Sequence, residues 1–283
     1  MGRDRSQKKF AGLRAGQWMR LLVLLPGIPF LACSVLLLCY ANVSLPVGED
    51  VRMAEVLEST RELIVLVHGK GDTPSSWAEA FAEELRSSRL GPGQQVVTVD
   101  WGEYSHDLLR STLNGRDIGH DLGKRIAAGS GALSRLHLVG HSAGSFVVYG
   151  ICESVRRRKP GIHIHTTFLA PVTVYRGIDW KYGYRNFGTC ADVSDAWIDR
   201  EDRAIGASAP LRFPHSFDVT ALRRASGFNG TPHLWPVAFY RKAVLAGTVP
   251  LWEADDAFLA AFPPGHHTLL RPEDVFAGKK AIQ

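Results

Sequence analysis

One pentapeptide, Gly140-His141-Ser142-Ala143-Gly144, constrains this chain more than any other feature. It closes the apolar run 136–140 and opens a helical stretch, 143–158, that ends in Arg156, Arg157 and Arg158 before Pro160-Gly161. A serine between two glycines at a strand-to-helix turn has a steric reading. The turn leaves no room for side chains at the glycines, and it holds the serine in a strained backbone that lifts its hydroxyl above a sheet. The helix start behind it favours negative charge developing there. Glycine and serine are common residues, so the weight lies in the strand before and the helix after, not in the spacing alone.

The rest of the chain supplies the sheet that such a turn needs. Residues 62–69 (ELIVLVHG), 95–101 (QVVTVDW), 136–140 (LHLVG) and 163–171 (HIHTTFLAP) read as short buried strands rich in β-branched residues. Between them, Ser76-Trp77-Ala78-Glu79 has the spacing of a capping box opening a helix to about Arg86, and Ile118, Leu122 and Ile126 form one apolar helix face. Strands alternating with helices predict an α/β fold, a mostly parallel sheet covered by helices on both faces.

Charge is placed unevenly. Arg3, Arg5, Lys8, Lys9, Arg14 and Arg20 stand against Asp4 alone in the first twenty residues, while the formal net charge of the whole chain is only +5. The excess reads as a topology signal and not as a nucleic-acid surface. An uncharged apolar stretch, 21–43, follows. It is long enough for a membrane-spanning helix of roughly 20 residues, with a cleaved signal segment as the rival. The expected organisation is a basic cytoplasmic segment over 1–20, a transmembrane anchor or signal over 21–43, a polar linker over 44–60, and a catalytic domain over 61–283 on the non-cytoplasmic, periplasmic side. Of the four cysteines, Cys33 and Cys39 fall in the apolar stretch. Cys152 and Cys190 read as two buried thiols, with a disulfide in an oxidising compartment as the alternative. No C-x-x-C or similar metal-ligand spacing occurs.

Taken in order, LVHGKGDTPSSW, VVTVDW and LHLVGHSAGS resemble the pancreatic-lipase-like branch of the α/β-hydrolase superfamily of serine esterases and lipases. The resemblance covers 63–171 and resumes at HLWPVAFY, from His233. It implies an α/β-hydrolase fold with Ser142 as nucleophile and His233 as base. The N–H of Ala143 and the N–H of Lys70, after the V-x-H-G strand end, would form the oxyanion hole. His68 and His141 read as structural. The branch carries its acid in a Leu-Asp-Pro context, where this chain has Leu169-Ala170-Pro171, so the acid must come from elsewhere. Asp202, in the exit loop of a strand within 196–206, is the first choice. Asp199 is second, and Asp192, Asp195 and Asp218 remain open. Gly265-His266-His267 is similar to the C-terminal histidine loop of other α/β-hydrolases, so His266 and His267 rival His233 as the base.

The segment 172–197, with Tyr175, Trp180, Tyr182, Tyr184, Phe187 and Trp197, reads either as a lid or acyl-binding insertion or as aromatics packed on the core. The function expected is cleavage of a small-molecule or lipid ester by a Ser-His-Asp triad, with no cofactor and no metal. The alternatives are a thioesterase, transacylase or peptidase on the same parts, or a non-catalytic, hydrolase-like binding protein on a membrane. The oligomeric state stays open.

Overall fold

The computed structural model describes residues 15–44, 50–107, 109–129, 131–251 and 260–273, with side chains from residue 27 onward. The chain divides into two compact units, Met1–Val43 and Ser44–Gln283.

The first unit holds one helix, α1 (Ala15–Asn42). Among the described residues no helix is long and apolar enough to cross a membrane. The transmembrane helix expected over 21–43 is therefore not supported.

The second unit is built on an eight-stranded sheet. Its strands are β1 (Arg52–Met53), β2 (Glu62–Val67), β3 (Gln94–Asp100), β4 (Arg135–His141), β5 (His163–Leu169), β6 (Val193–Ile198), β7 (His215–Asp218) and β8 (His267–Leu269). They lie in the order β1-β3-β2-β4-β5-β6-β7-β8, and all pairs are parallel except β1 with β3. After β2 the chain moves outward to β3, then returns to place β4 on the other side of β2. This reversal of strand order opens a crevice at the carboxyl ends of β2 and β4, where α/β sheets bind ligands.

Helices cover both faces. One face carries α4 (Ser111–Gly129) and α5 (Gly144–Arg158), with Ile118, Leu122 and Ile126 buried against the sheet as the periodicity predicts. The other carries α2 (Ala78–Ser88), α7 (Thr220–Ser226) and α8 (Trp235–Leu245). A single turn, α3 (Gly102–Ser105), follows β3, and another, α6 (Tyr182–Asn186), precedes β6.

Three expectations differ from the structure, and one open choice is decided. The capping box at α2 does not form: Trp77 occupies the cap position with no side-chain bond, and the Ser76 hydroxyl instead donates to the Thr73 carbonyl of the preceding turn. The stretch 44–60 is more than a linker. Val51 and Val56 are buried, Arg52 and Met53 pair with β3, and the Gln95 side chain ties Glu55, Leu57 and Thr60 to the sheet edge; residues 45–49 lie outside the described residues. Cys152 and Cys190 are bonded to each other, at a Cα separation of 5.8 Å that a disulfide spans without moving backbone. Finally, the aromatics after β5 mainly pack on the core. Tyr175 and Tyr182 stack on Phe146 of α5, Phe187 meets Phe146 edge-on, Tyr182 and Phe187 also pack on Tyr149, and the Arg116 guanidinium lies 5.7 Å to 5.9 Å from three tyrosine rings.

Candidate active site

Ser142 sits on the turn between β4 and α5 with φ 54°, the left-handed region that a side chain rarely enters. Its neighbours explain the two glycines. A Cβ on Gly144 would lie 2.4 Å from the His68 carbonyl oxygen, and one on Gly140 would lie 2.6 Å from Val148 and 2.9 Å from the Gly144 carbonyl oxygen. The Ser142 N–H is fixed by the Leu169 carbonyl at 2.9 Å, and Ser142 itself is nearly buried.

The loop after β2 lies against this turn. A Cβ on Gly69 would meet the Ser142 Cβ at 3.1 Å and the His141 ring at 3.0 Å. His68 is fully buried, and that burial holds its pKa below the ordinary histidine value despite the carboxylates of Asp72 and Asp100 nearby. The ring is therefore neutral near pH 7. Its Nδ1–H donates to the Gly69 carbonyl (2.9 Å), and its Nε2 accepts the Trp101 N–H (3.3 Å). The Gly69–Lys70 peptide is planar and trans, so its N–H points opposite its C=O. With the carbonyl tied back to His68, the Lys70 N–H is turned away from that ring, while Gly69 and Lys70 line a cavity together with Ser142. Ala143, next to the serine, begins the helix whose first amides have no intrahelical partner.

On the far side of the cavity is a histidine–carboxylate pair. Asp202, three residues beyond a bend at Asp199, presents Oδ2 to His233 Nδ1 at 2.6 Å, and its Oδ1 accepts the Ala204 N–H. The carboxylate is almost wholly buried, whereas His233 stays partly open. His233 and Ser142 both line the cavity, which encloses about 480 Å³. His141 braces the pair from below: its Nε2–H donates to the His233 carbonyl at 3.1 Å. Burial, and next the proximity of His233, push the His141 pKa down to about 4, so it is neutral at pH 7.

The rival residues are placed elsewhere. Asp199 is fully buried in a salt bridge to Arg223, Asp192 binds Arg156 and the Ile164 N–H, and Asp195 binds His165 and Trp197 within the sheet. Asp218 accepts from Thr220. His266 and His267 stand at the start of β8, the edge strand four places from β4 in the sheet, and neither lines the cavity that Ser142 lines.

Beyond those residues the cavity is lined by Trp77, Phe228 and one face of the α8 segment: Leu234, Val237, Ala238 and Arg241. Their i, i+3, i+4, i+7 spacing marks a single helix face and was readable in the sequence, although nothing there showed what the face covers. Arg241 is held by a two-pronged bond to Glu84 at 2.6 Å for each contact, and this bond lowers the Glu84 pKa and raises that of Arg241. Among the described residues no cluster of histidine, cysteine and acidic side chains could hold a metal.

Solved structures similar to the chain include a lipase-esterase related protein from Clostridium acetobutylicum (12% identity, 70% of this chain and 97% of that one, TM-score 0.40). A putative hydrolase of the alpha/beta superfamily from Xanthomonas campestris pv. campestris is similar at 18% identity over 66% and 97%, TM-score 0.43. An esterase from Pyrobaculum calidifontis is similar at 12% over 77% and 91%, TM-score 0.39. No curated protein sequence matches the chain. The sequence profile of the alpha/beta hydrolase family matches residues 64–278, nearly the whole of the second unit, and the chain belongs to that family.

Proposed function

We propose that this hydrolase cleaves carboxylic esters through an acyl-enzyme on Ser142. The Ser142 Oγ attacks the acyl carbonyl while His233 Nε2 takes its proton, and the imidazolium then gives that proton to the departing alcohol. Asp202 holds Nδ1–H, fixes the tautomer and stabilises the imidazolium. The Lys70 and Ala143 N–H groups stabilise the oxyanion. Water, activated by the same histidine, releases the acid. The observation that carries this reading is the 2.6 Å Asp202–His233 bond on the wall of the cavity that Ser142 also lines. The chemistry needs no cofactor, and the apolar wall of Trp77, Phe228, Leu234 and Val237 suits an ester with an apolar acyl or alcohol group.

The test is hydrolysis of p-nitrophenyl esters of graded chain length by the purified full chain. Ser142→Ala and His233→Ala should each abolish turnover while His266→Ala and His267→Ala remain active. Equal rates for wild type and Ser142→Ala at every chain length would end the ester-hydrolase reading.

We also propose that the domain works on the non-cytoplasmic side of a membrane. The Cys152–Cys190 disulfide and the basic residues ahead of the apolar stretch 21–43 support this. Alkylating whole cells before and after reduction should leave Cys152 and Cys190 blocked until reductant is added. Free thiols at both positions without reductant would contradict it.

A further inference from the structure

Exposed large apolar side chains in the second unit are gathered at one place. Ile178, Trp180 and Tyr184 follow β5, Ile205 follows β6, Leu234 precedes α8, and Leu109 lies beyond β3. All six belong to connections at the carboxyl ends of the strands, the edge that bears Ser142. Among the described residues of this unit, the only other exposed large apolar side chains are Leu57, before β2, and Leu269, in the edge strand β8. Trp180 and Ile178 are 61% and 58% exposed, unusual for residues whose burial would gain so much.

Backbone contacts make the patch continuous. The Thr173 N–H donates to the Ile205 carbonyl, and the Thr173 hydroxyl donates to the Trp180 carbonyl, so both apolar side chains rise from loops pinned to one threonine. The Arg176 N–H donates to Thr112, which ties this excursion to the helix that follows Leu109. The Val172 N–H donates to the Ser142 carbonyl, which connects it to the nucleophile turn. A second opening, lined by Asp202, Arg203, Ala204, Thr231, Pro232 and His233, lies beside the histidine–carboxylate pair.

Charge decides what this rim meets. The excursion 175–186 carries Arg176, Lys181 and Arg185 against Asp179 alone, and Asp179 is already bound to Arg185. Exposed Arg203 stands next to Ile205, and its neighbour Glu201 is neutralised by Arg223 and Arg224. Tryptophan and tyrosine with cations at their flanks match the headgroup region of a bilayer, where an amphipathic ring lies between hydrocarbon and water and cations meet anionic lipid.

We propose that the rim formed by Ile178, Trp180, Tyr184 and Ile205 docks on an anionic lipid surface and turns the mouth of the cavity toward it. Binding by this rim is independent of catalysis. That an ester can pass from the lipid into the cavity rests on the ester-hydrolase reading.

The test uses the full chain with vesicles of phosphatidylcholine alone or mixed with phosphatidylserine, both containing brominated phosphatidylcholine. The N-terminal apolar stretch is common to every variant, so the quenching that separates wild type from Trp180→Phe belongs to Trp180. Wild type should be quenched more than Trp180→Phe on mixed vesicles, and the difference should shrink on phosphatidylcholine alone. Lys181→Gln and Arg203→Gln should each weaken binding about fivefold. Trp180→Ser should leave turnover of a soluble short-chain ester unchanged and lower turnover of a vesicle-borne ester. Equal quenching of wild type and Trp180→Phe would overturn the proposal. So would a concentration-dependent dimer that Trp180→Ser dissociates, because the rim would then be covered by a second copy. A protein that shows the Trp180 quenching but cleaves no ester would keep the lipid surface and refute the ester-hydrolase reading.

Discussion

The two sides of the cavity are held by different physics. The serine side, β4, Ser142, α5 and the loop after β2, is backbone packed against backbone. Gly69, Gly140 and Gly144 each sit where a methyl group would strike a neighbour, and His68 and His141 are buried beneath. The histidine–carboxylate side is two loops joined by one short hydrogen bond between Asp202 and His233. On the first side a methyl added at Gly140 or Gly144 meets backbone, so fold and chemistry are disturbed together. The second can lose its chemistry while the fold stands.

The sharpest test of that contrast is Asp202→Asn. The amide preserves shape and the bond to Ala204 but sets the wrong tautomer at His233, so the rate should fall about 10⁴-fold with Tm nearly unchanged. A comparable fall in Tm would show that the pair holds the fold as well.

Next in size is loss of the Cys152–Cys190 disulfide, which ties α5, the helix after Ser142, to the loop leading into β6. Closing a loop with a sequence separation of 38 is worth about 3–4 kcal/mol, so the double serine variant should unfold at markedly lower urea, with kcat for ester cleavage retained. A kcat that falls in step with stability would mean the disulfide also positions the catalytic groups.

Gly144→Ala reverses the pattern of Asp202→Asn. The added methyl meets the His68 carbonyl, which is backbone and cannot rotate away, so stability should drop by about 3 kcal/mol and activity with it. A variant of unchanged Tm would remove the steric explanation of the turn.

The smallest effect is on pH. His141 in the folded chain titrates near 4, while in the unfolded chain it titrates near 6.5. Unfolding therefore takes up a proton between those values. The stability contributed by neutral His141 is complete above about 6.5 and is lost as pH falls toward 4, by about 1.4 kcal/mol per pH unit. Burial lowers the His68 pKa in the same sense. Tm followed from about pH 8 to about pH 5 should decline, and His141→Asn should flatten part of the decline. A flat wild-type profile would mean that these histidines are not held neutral.

The same contrast explains what could be read from the residues alone. The parallel sheet and the strand–serine–helix turn were legible because short-range sterics and hydrophobic periodicity determine them, and β2, β3, β4 and β5 all lie within a residue or two of the expected runs. The choice among five aspartates was not legible in the same way. Asp199 and Asp202 share one loop, and only the partner each meets across the fold, Arg223 or His233, separates them. His266 and His267 are set apart from His233 by the place of β8 at the sheet edge, four strands from β4, which no local pattern records. Pairing of Cys152 with Cys190 likewise depends on β5 and β6 being neighbours. At α2 the local signal itself failed, because Ser76 found a closer acceptor in the turn before it.

Everything proposed for the cavity depends on Ser142 being an activated nucleophile. Incubating the full chain with a fluorophosphonate and mapping the adduct by peptide mass spectrometry tests it without assuming a substrate. One adduct is expected, on Ser142, formed far more slowly in His233→Ala and absent in Ser142→Ala. An unmodified wild-type chain, or an adduct on another residue, would contradict it.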